Sequence, residues 1–458
     1  MYKYIFHIVF FLVFTSVKAQ NVLNYSDYIN KVLEDHPFSK LADLEISAAK
    51  ANLLKAKGNF DPYISYQYSE KSFNDLNYYT IHQGKLIVPT GLGPNLNFGY
   101  ERANGNFLNP QWKLPNDGLV NMGINIPLLQ GLIIDESRAF LRQAKAIYRA
   151  SEVEKKLVLN QIILNSTFQY WYWFESYNKL LVADKGVLLA TERLNASVTS
   201  AKAGDIPFVD TLETNIQLQN RLVSFQKNYG EYKINELQLG FFLWTDSAQA
   251  PKDNTPPNYM LFNPPTVPVF NLDTLNTKLK LHPELNQKVL KLKMLEYDKK
   301  MAWEYFKPQV NLNYNPLADY NQMFNQPYIN PSNYKLGLDI KIPIFYRKQM
   351  GNLQSISIYQ EQTKIELDTK LREIYNEAMS LYIELQALEK QINMQKNNLQ
   401  NNLALLNAEQ DKFKLGESSV FMVNTRENAY LSAEINLIEL ISKQQITLVK
   451  YLYYANEL

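Results

Sequence analysis

The chain of 458 residues contains no cysteine. That excludes a disulfide framework, a thiolate metal site, a cysteine nucleophile and a lipid-modified cysteine anchor. Histidine is scarce, with four residues, and His7 falls in the N-terminal apolar segment. Imidazole catalysis or metal binding therefore has little material. Charge of one sign is lacking too: 47 Lys+Arg against 45 Asp+Glu leave a net charge of +2, which gives no electrostatic footprint for nucleic acid. Long hydrophobic runs are also missing. The most apolar stretch, residues 5–14, falls short of the roughly 18 to 20 residues a spanning helix needs. No Walker sequence, His-Glu-x-x-His or Gly-x-Ser-x-Gly occurs, so neither an enzyme nor a cofactor or metal site is expected.

Lys3, the apolar run after it, and Val17-Lys18-Ala19 with compact residues at the two positions a signal peptidase reads predict a signal peptide over residues 1–19. No later stretch reaches spanning length either. An exported chain without such a helix is expected either to be soluble outside the cytoplasm or to sit in a membrane as a β-barrel.

The chain repeats itself. Asp35-His36-Pro37 corresponds to Leu281-His282-Pro283, and Phe60-Asp61-Pro62 to Phe306-Lys307-Pro308, both separated by 246 positions (36 to 282, 62 to 308). Two anchors at one spacing imply an internal duplication. Each copy carries a helical stretch between its anchors, and His36 and His282, standing before prolines at helix starts, are expected to be caps beside a first-turn proline.

A strand-like segment follows each Phe-x-Pro. Ile64, Tyr66 and Tyr68 share one face and Ser65 and Gln67 the other; Val310, Leu312 and Tyr314 oppose Gln309, Asn311, Asn313 and Asn315. Each half has a second such strand. Val120, Met122, Ile124 and Ile126 alternate with Asn121, Gly123 and Asn125, and Leu336, Leu338 and Ile340 with Lys335, Gly337, Asp339 and Lys341. The four strands, about 62–71, 119–127, 308–316 and 334–343, fit barrel walls with lipid outside and water inside. A half-buried sheet in a soluble sandwich alternates in the same way. Between the first two lies a loop, 72–118, whose Gly91-Leu92-Gly93-Pro94 reads as a turn and whose alternating Leu96, Phe98 and Tyr100 suggest a hairpin extending beyond the membrane or a lid.

After Pro127 and Pro343 come two helical stretches, about 136–202 and 352–415, without proline and with a single glycine, Gly186. Roughly 65 residues of helix reach about 100 Å, longer than a compact domain can hold. Leu371, Ile374, Ala378, Leu381, Leu385, Leu388, Ile392, Gln395, Leu399, Asn402, Leu406, Glu409 and Phe413 make a heptad seam in the second rod, polar towards its far end. Each rod reverses at a glycine, Gly204-Asp205 or Gly416-Glu417, and a returning helix follows. One returning helix has Leu218, Leu222, Phe225 and Tyr229 on a stripe; the other has Tyr430, Ala433, Leu437, Leu440 and Gln444. The aromatic run 170–174 reads as packed core. The expected organisation is a first repeat over 20–245, a Pro- and Asn-rich linker over 246–270, and a second repeat over 271–458.

Four strands cannot close a barrel alone, since the smallest single-chain barrels have eight and an open edge in hydrocarbon is not viable. Strands in lipid would therefore be shared between chains. The order of elements, the duplicated His-Pro and Phe-x-Pro blocks, Ile126-Pro127-Leu128-Leu129-Gln130-Gly131 with its counterpart Ile342-Pro343-Ile344-Phe345, and the two glycine tips together resemble the TolC family of outer-membrane efflux proteins. The resemblance implies a mixed α and β fold: a long α-helical coiled-coil tunnel, plus four strands per chain contributing to a trimeric 12-stranded outer-membrane β-barrel. It implies a homotrimer in outer-membrane lipid that docks on a periplasmic adaptor and an inner-membrane pump. The function implied is a passive exit duct for tripartite efflux or type I secretion. A coiled-coil scaffold without a pore is the alternative.

Under the resemblance, Gly204, Asp205, Asp210, Gly416, Glu417, Met422 and Thr425 form the periplasmic tip and adaptor-docking region. Asp210 matches the family's acidic tip, or serves only as a first-turn carboxylate favoured by the helix dipole. Met422 and Thr425 stand where the resemblance places aspartates of a cation-binding ring, so weaker block by multivalent cations is expected. Asn121, Asn125, Asn311, Asn313, Lys335, Asp339 and Lys341 are the expected lumen-facing residues of the barrel.

Overall fold

The computed structural model describes residues 21–244, 254–262, 271–321 and 330–458; the expected signal peptide lies outside them. The duplication is seen at the start of each copy, and the second helix matches residue for residue at the 246 offset. Helix α1 (Tyr25–Asp35) leads into α2 (Pro37–Gly58), and α5 (Leu272–Leu279) leads into α6 (Pro283–Glu304). Helices α2 and α6 are 22 residues each. Both begin with Pro at the first turn, and the imidazoles of His36 and His282 accept the amides of Phe38 and Glu284 at 3.3 Å. The histidines are helix caps, as their sequence position implied.

The rods are α3 (Glu136–Ala203) and α7 (Arg347–Lys414), 68 residues each, returning as α4 (Phe208–Leu243) and α8 (Val420–Tyr454). Asp135 starts α3 by accepting the Arg138 amide at 2.8 Å, and Ser419 starts α8 by accepting that of Met422 at 3.3 Å. Gly204 and Gly416 end the rods at φ of +85° and +77°, the left-handed conformation that glycine adopts at least cost.

The heptad seam of α7 is buried at Ile374, Ala378, Leu381, Leu385, Leu388, Ile392, Leu406 and Glu409. In α8, Tyr430, Ala433, Leu437 and Gln444 are buried as the periodicity indicates. The expected stripe on α4 differs: Leu222 and Tyr229 are exposed, and the face turned inward carries Thr211, Thr214, Tyr232, Leu239 and Leu243. The main core gathers Tyr28 of α1, Tyr170, Trp173 and Phe174 of α3, Leu239 of α4 and Ile438 and Ile441 of α8. The aromatic run is therefore core, apart from exposed Tyr172.

The described part of the expected linker is structured. Strand β6 (Asn254–Thr255) pairs in parallel with β1 (Asn21–Val22), and Tyr259 is buried, donating its hydroxyl to Glu434 at 2.6 Å. Residues 245–253 and 263–270 lie outside the described residues.

All four expected strands form: β2 (Tyr63–Phe73), β5 (Leu119–Pro127), β7 (Gln309–Asp319) and β8 (Tyr334–Lys341). The sheet nevertheless has six strands rather than four. Within 72–118, β3 (Leu76–Pro89) and β4 (Asn95–Asn104) insert between β2 and β5, so the order is β2-β3-β4-β5-β7-β8, antiparallel throughout. This segment is neither lid nor extension. Its turns are compact: Asn74 and Asp75, at φ of +52° and +57°, make a two-residue hairpin loop, and the loop over Gly91-Leu92-Gly93-Pro94 joins β3 to β4.

Candidate channel wall and helical tips

Strand periodicity sorts the sheet into two unlike faces. On one face the expected polar residues meet through the register. Asn125 stands opposite Asn313, Asn311 opposite Asp339, and Gln309 and Asn315 opposite Lys341 and Lys335. Asn125 donates to Asn313 at 2.7 Å, and Asn313 donates to Asp339 at 2.8 Å, so three strands are tied by one amide-carboxylate chain. Lys335 and Lys341 stand at the two ends of β8 on the same face.

Asn121 takes a different role. It stands opposite Leu317, and its side chain covers Gly99, where a Cβ would fall 2.6 Å from the amide. Asn315 covers Gly123 in the same way. Four further polar residues of this face, Gln83, Lys85, Asn97 and Glu101, come from β3 and β4 and were not among the expected wall residues. Gln83 donates to Glu101 at 3.3 Å.

The other face is apolar and open. Ile64 (79% exposed), Leu86, Phe98, Met122, Leu336, Leu338 and Ile340 project from it, and Tyr66, Tyr68, Tyr100, Tyr314 and Tyr334 share the same face. A sheet folded over a soluble core would bury this face, whereas here the large apolar side chains stand outward on both edge strands and across the interior ones.

Each rod end carries its expected residues in a tight turn. The Asp205 amide returns to the carbonyl of Ser200 at 3.0 Å and that of Glu417 to Lys412 at 2.9 Å, satisfying carbonyls the helix ends leave open. The carboxylates of Asp205 and Glu417 are exposed, and Asp210 lies in the first turn of α4. Thr425 turns its hydroxyl back to the carbonyl of Phe421 at 2.9 Å, and Met422 is half-buried.

A cluster that no sequence period announces locks the two hairpins together above the tips. Glu427 of α8 is buried, with 2% of its side chain exposed; it pairs with Arg193 of α3 and lies 3.6 Å from Arg221 of α4. Arg193 also donates to Asn424, and Arg221 to Asn428. Further along, burial works against the charge of Glu284, but the Lys370 ammonium at 2.8 Å and the Tyr453 hydroxyl at 2.7 Å more than offset it and hold its carboxyl below the usual range. Burial pushes both His36 and His282 below the usual imidazole value.

Helix α4 also presents an apolar row, Val209, Ile216, Val223 (70% exposed) and Leu237, at multiples of seven residues. This is the spacing of a coiled-coil seam. Among the described residues of one chain, these side chains remain open to solvent.

Against known proteins, residues 274–451 match the family of outer membrane efflux proteins. No curated protein sequence matches the chain. Solved structures share its fold. The Campylobacter jejuni CmeC outer membrane channel aligns with a TM-score of 0.70 at 13% identity, covering 94% of this chain and 85% of that one. CusC, described for its transmembrane channel formation, aligns with a TM-score of 0.68 at 15% identity over 94% and 91% of the two chains. The Vibrio cholerae outer membrane protein VceC aligns at 0.66 and 13% identity, covering 94% and 95%.

Proposed function

We propose that the chain is a TolC-like outer membrane efflux protein and the outer-membrane duct of an export machine, since residues 274–451 match the family of outer membrane efflux proteins and the fold of solved outer membrane channels extends over 94% of the chain. Three copies close their sheets into one barrel in the outer membrane. Their helical hairpins run on into the periplasm as a tunnel, and the tips around Gly204 and Gly416 meet a periplasmic adaptor coupled to an inner-membrane pump. The duct is passive, in tripartite efflux or type I secretion, and no chemistry occurs in it. Residues 1–19 act as the export signal, and the repeats over 20–245 and 271–458 each supply one wall segment and one hairpin.

The observation that carries this reading is the open sheet. Among the described residues its edge strands β2 and β8 have unpaired outer sides, one face is apolar and outward, and the other bears Asn121, Asn125, Asn311, Asn313, Lys335, Asp339 and Lys341. Unpaired strand edges are not tolerated in hydrocarbon, so copies must pair edge to edge, and the polar face then lines water.

Membrane fractionation followed by negative-stain imaging of the detergent-purified protein tests this. Threefold cylinders well over 100 Å long, recovered from the outer membrane, are the expected result. A soluble monomer, or a solid rod without a lumen, overturns it in favour of a scaffold.

A further inference from the structure

We infer that the shared barrel has eighteen strands rather than twelve, the β3–β4 hairpin being a built-in widening of the outer-membrane exit. The inference rests on the three-copy channel reading above and adds to it the number and bore of the wall strands.

The hairpin belongs to the wall by register. It pairs from Tyr63↔Ile87 on the β2 side through Val88↔Leu96 to Asn95↔Asn125 on the β5 side. At the helix-proximal half of the hairpin both faces run on from the neighbouring strands. Ile64, Leu86, Phe98 and Met122 stand opposite one another across four strands on the apolar face, and Gln83, Lys85, Asn97 and Glu101 carry the polar face across the insertion. A lid at the pore mouth would not need an apolar belt in line with its neighbours.

The base of the hairpin is moored as well. Arg138, in the first turn of α3, donates to the carbonyls of Leu132 and Ile133 at 3.1 Å and to that of Gly131, and reaches the Leu92 carbonyl of the β3–β4 turn at 3.5 Å. The second repeat has no counterpart among the described residues, since β7 pairs directly with β8.

The dimensions agree. Strands about 4.8 Å apart and tilted by about 40° occupy about 38 Å of circumference for six. Four helices at 8–10 Å spacing occupy roughly 32–40 Å. The six strands of each chain therefore span the arc of its four long helices. Closing three copies gives a ring about 36 Å across the backbone, against about 24 Å for twelve strands at the same tilt, which is about twice the cross-section. The exit is then about as wide as the ring of helices beneath it.

Single-particle cryo-electron microscopy of the full chain in detergent counts the strands. Eighteen are expected, falling to twelve, with a ring two-thirds as wide, in a variant lacking residues 76–104; that deletion joins the top of β2 to the 105–118 connection and leaves the path of β5 unchanged. A second measurement covers the case in which the deletion fails to fold. In this cysteine-free chain, Gln83→Cys in intact outer membranes should react with a water-soluble maleimide, and Phe98→Cys should not. A threefold particle with twelve strands, or equal labelling of both positions, overturns the inference and leaves the channel reading standing. Absence of any threefold particle overturns both.

Discussion

Replacing Glu427 by Gln tests the lock between the hairpins at one atom. The substitution keeps the shape of the side chain and removes its charge from between Arg193 and Arg221, which are 15% and 20% exposed. Breaking a buried ion pair from one side costs about 3–5 kcal/mol. Here the guanidiniums keep Asn424 and Asn428 as acceptors and can turn partly to water, so about 2–3 kcal/mol is expected. The cost should be local, because α8 in this region is held to α3 by a short apolar patch around Val423, Tyr430 and Leu431. At one decade per 1.4 kcal/mol, local opening becomes about 30- to 150-fold more frequent. Hydrogen exchange on the detergent-purified protein reads this directly. Amides over 190–197 and 423–431 should speed up, while those around Ile374–Leu388 in α7 should not. Glu231→Gln, which breaks the exposed 3.9 Å pair with Lys227, serves as the control and should change neither. Unchanged exchange at Glu427→Gln, or the same acceleration in every helix, would show that the cluster does not hold the hairpins together.

The capping histidines predict a pH dependence. Burial holds both imidazoles below their unfolded value of 6.5, so between that value and the folded one the unfolded chain binds more protons; stability should fall as pH drops through about 6.5 and level off once the folded histidines also protonate. His282→Asn keeps a cap acceptor and should flatten part of that slope in thermal unfolding from about pH 7.5 to about pH 5, and an unchanged slope would refute the assignment. The lowered carboxyl of Glu284 acts in a separate window, its contribution being lost only as pH falls through a folded value below 4.5. At the tips, Gly204→Ala and Gly416→Ala meet open space but keep positive φ, so each should cost about 1 kcal/mol in thermal unfolding and Asn should cost less; equal effects of Ala and Asn would contradict this. With Met422 and Thr425 at the second tip, multivalent cations should block single-channel current weakly, and Met422→Asp with Thr425→Asp should strengthen the block. Closure of the unmodified pore at micromolar cation levels would refute that expectation.

What was legible in the sequence was whatever repeats or alternates. Helices α2 and α6 begin 246 positions apart because their His-Pro caps do, and both rods end at glycines whose positive φ the turn requires. Strands β2, β5, β7 and β8 were legible because each alternates cleanly between the two faces. The inserted strand β3 was not, since Tyr78-Tyr79 and Leu86-Ile87-Val88 break its period while Gly84 and His82 stand on the otherwise apolar face. Its hairpin loop, Asn74-Asp75, lacks the glycine that usually signals such a turn. Tyr259 and the Glu427 cluster were illegible for another reason. Their partners lie 175 and 234 residues away in sequence, and a single charge or hydroxyl contact between helices has no period to find. The expected stripe on α4 does not face inward because polar Thr211 and Thr214 and Tyr232 take the inner face there, a choice that hydrophobic periodicity cannot indicate.

The exposed row on α4 and the open sheet edges set the same requirement, and it constrains how the wall can grow. Strand β2 ascends from α2, while β8 descends into α7. In the proposed ring the descending edge of one copy therefore lies beside the ascending edge of the next, which makes the new pair antiparallel like every pair within the chain. Such head-to-tail contacts use two different surfaces and close into a ring when the rotation permits. An insertion of one strand would reverse β5 and send α3 to the wrong end of the sheet. Two strands, ascending and descending, leave every later element where it was, and the Asn74-Asp75 turn together with the loop through Gly93 provides both reversals in a short span of chain. A duct built as proposed above can therefore change its bore only in steps of one hairpin per chain, or six strands per threefold ring, and one hairpin is what β3 and β4 add to the first half of this chain.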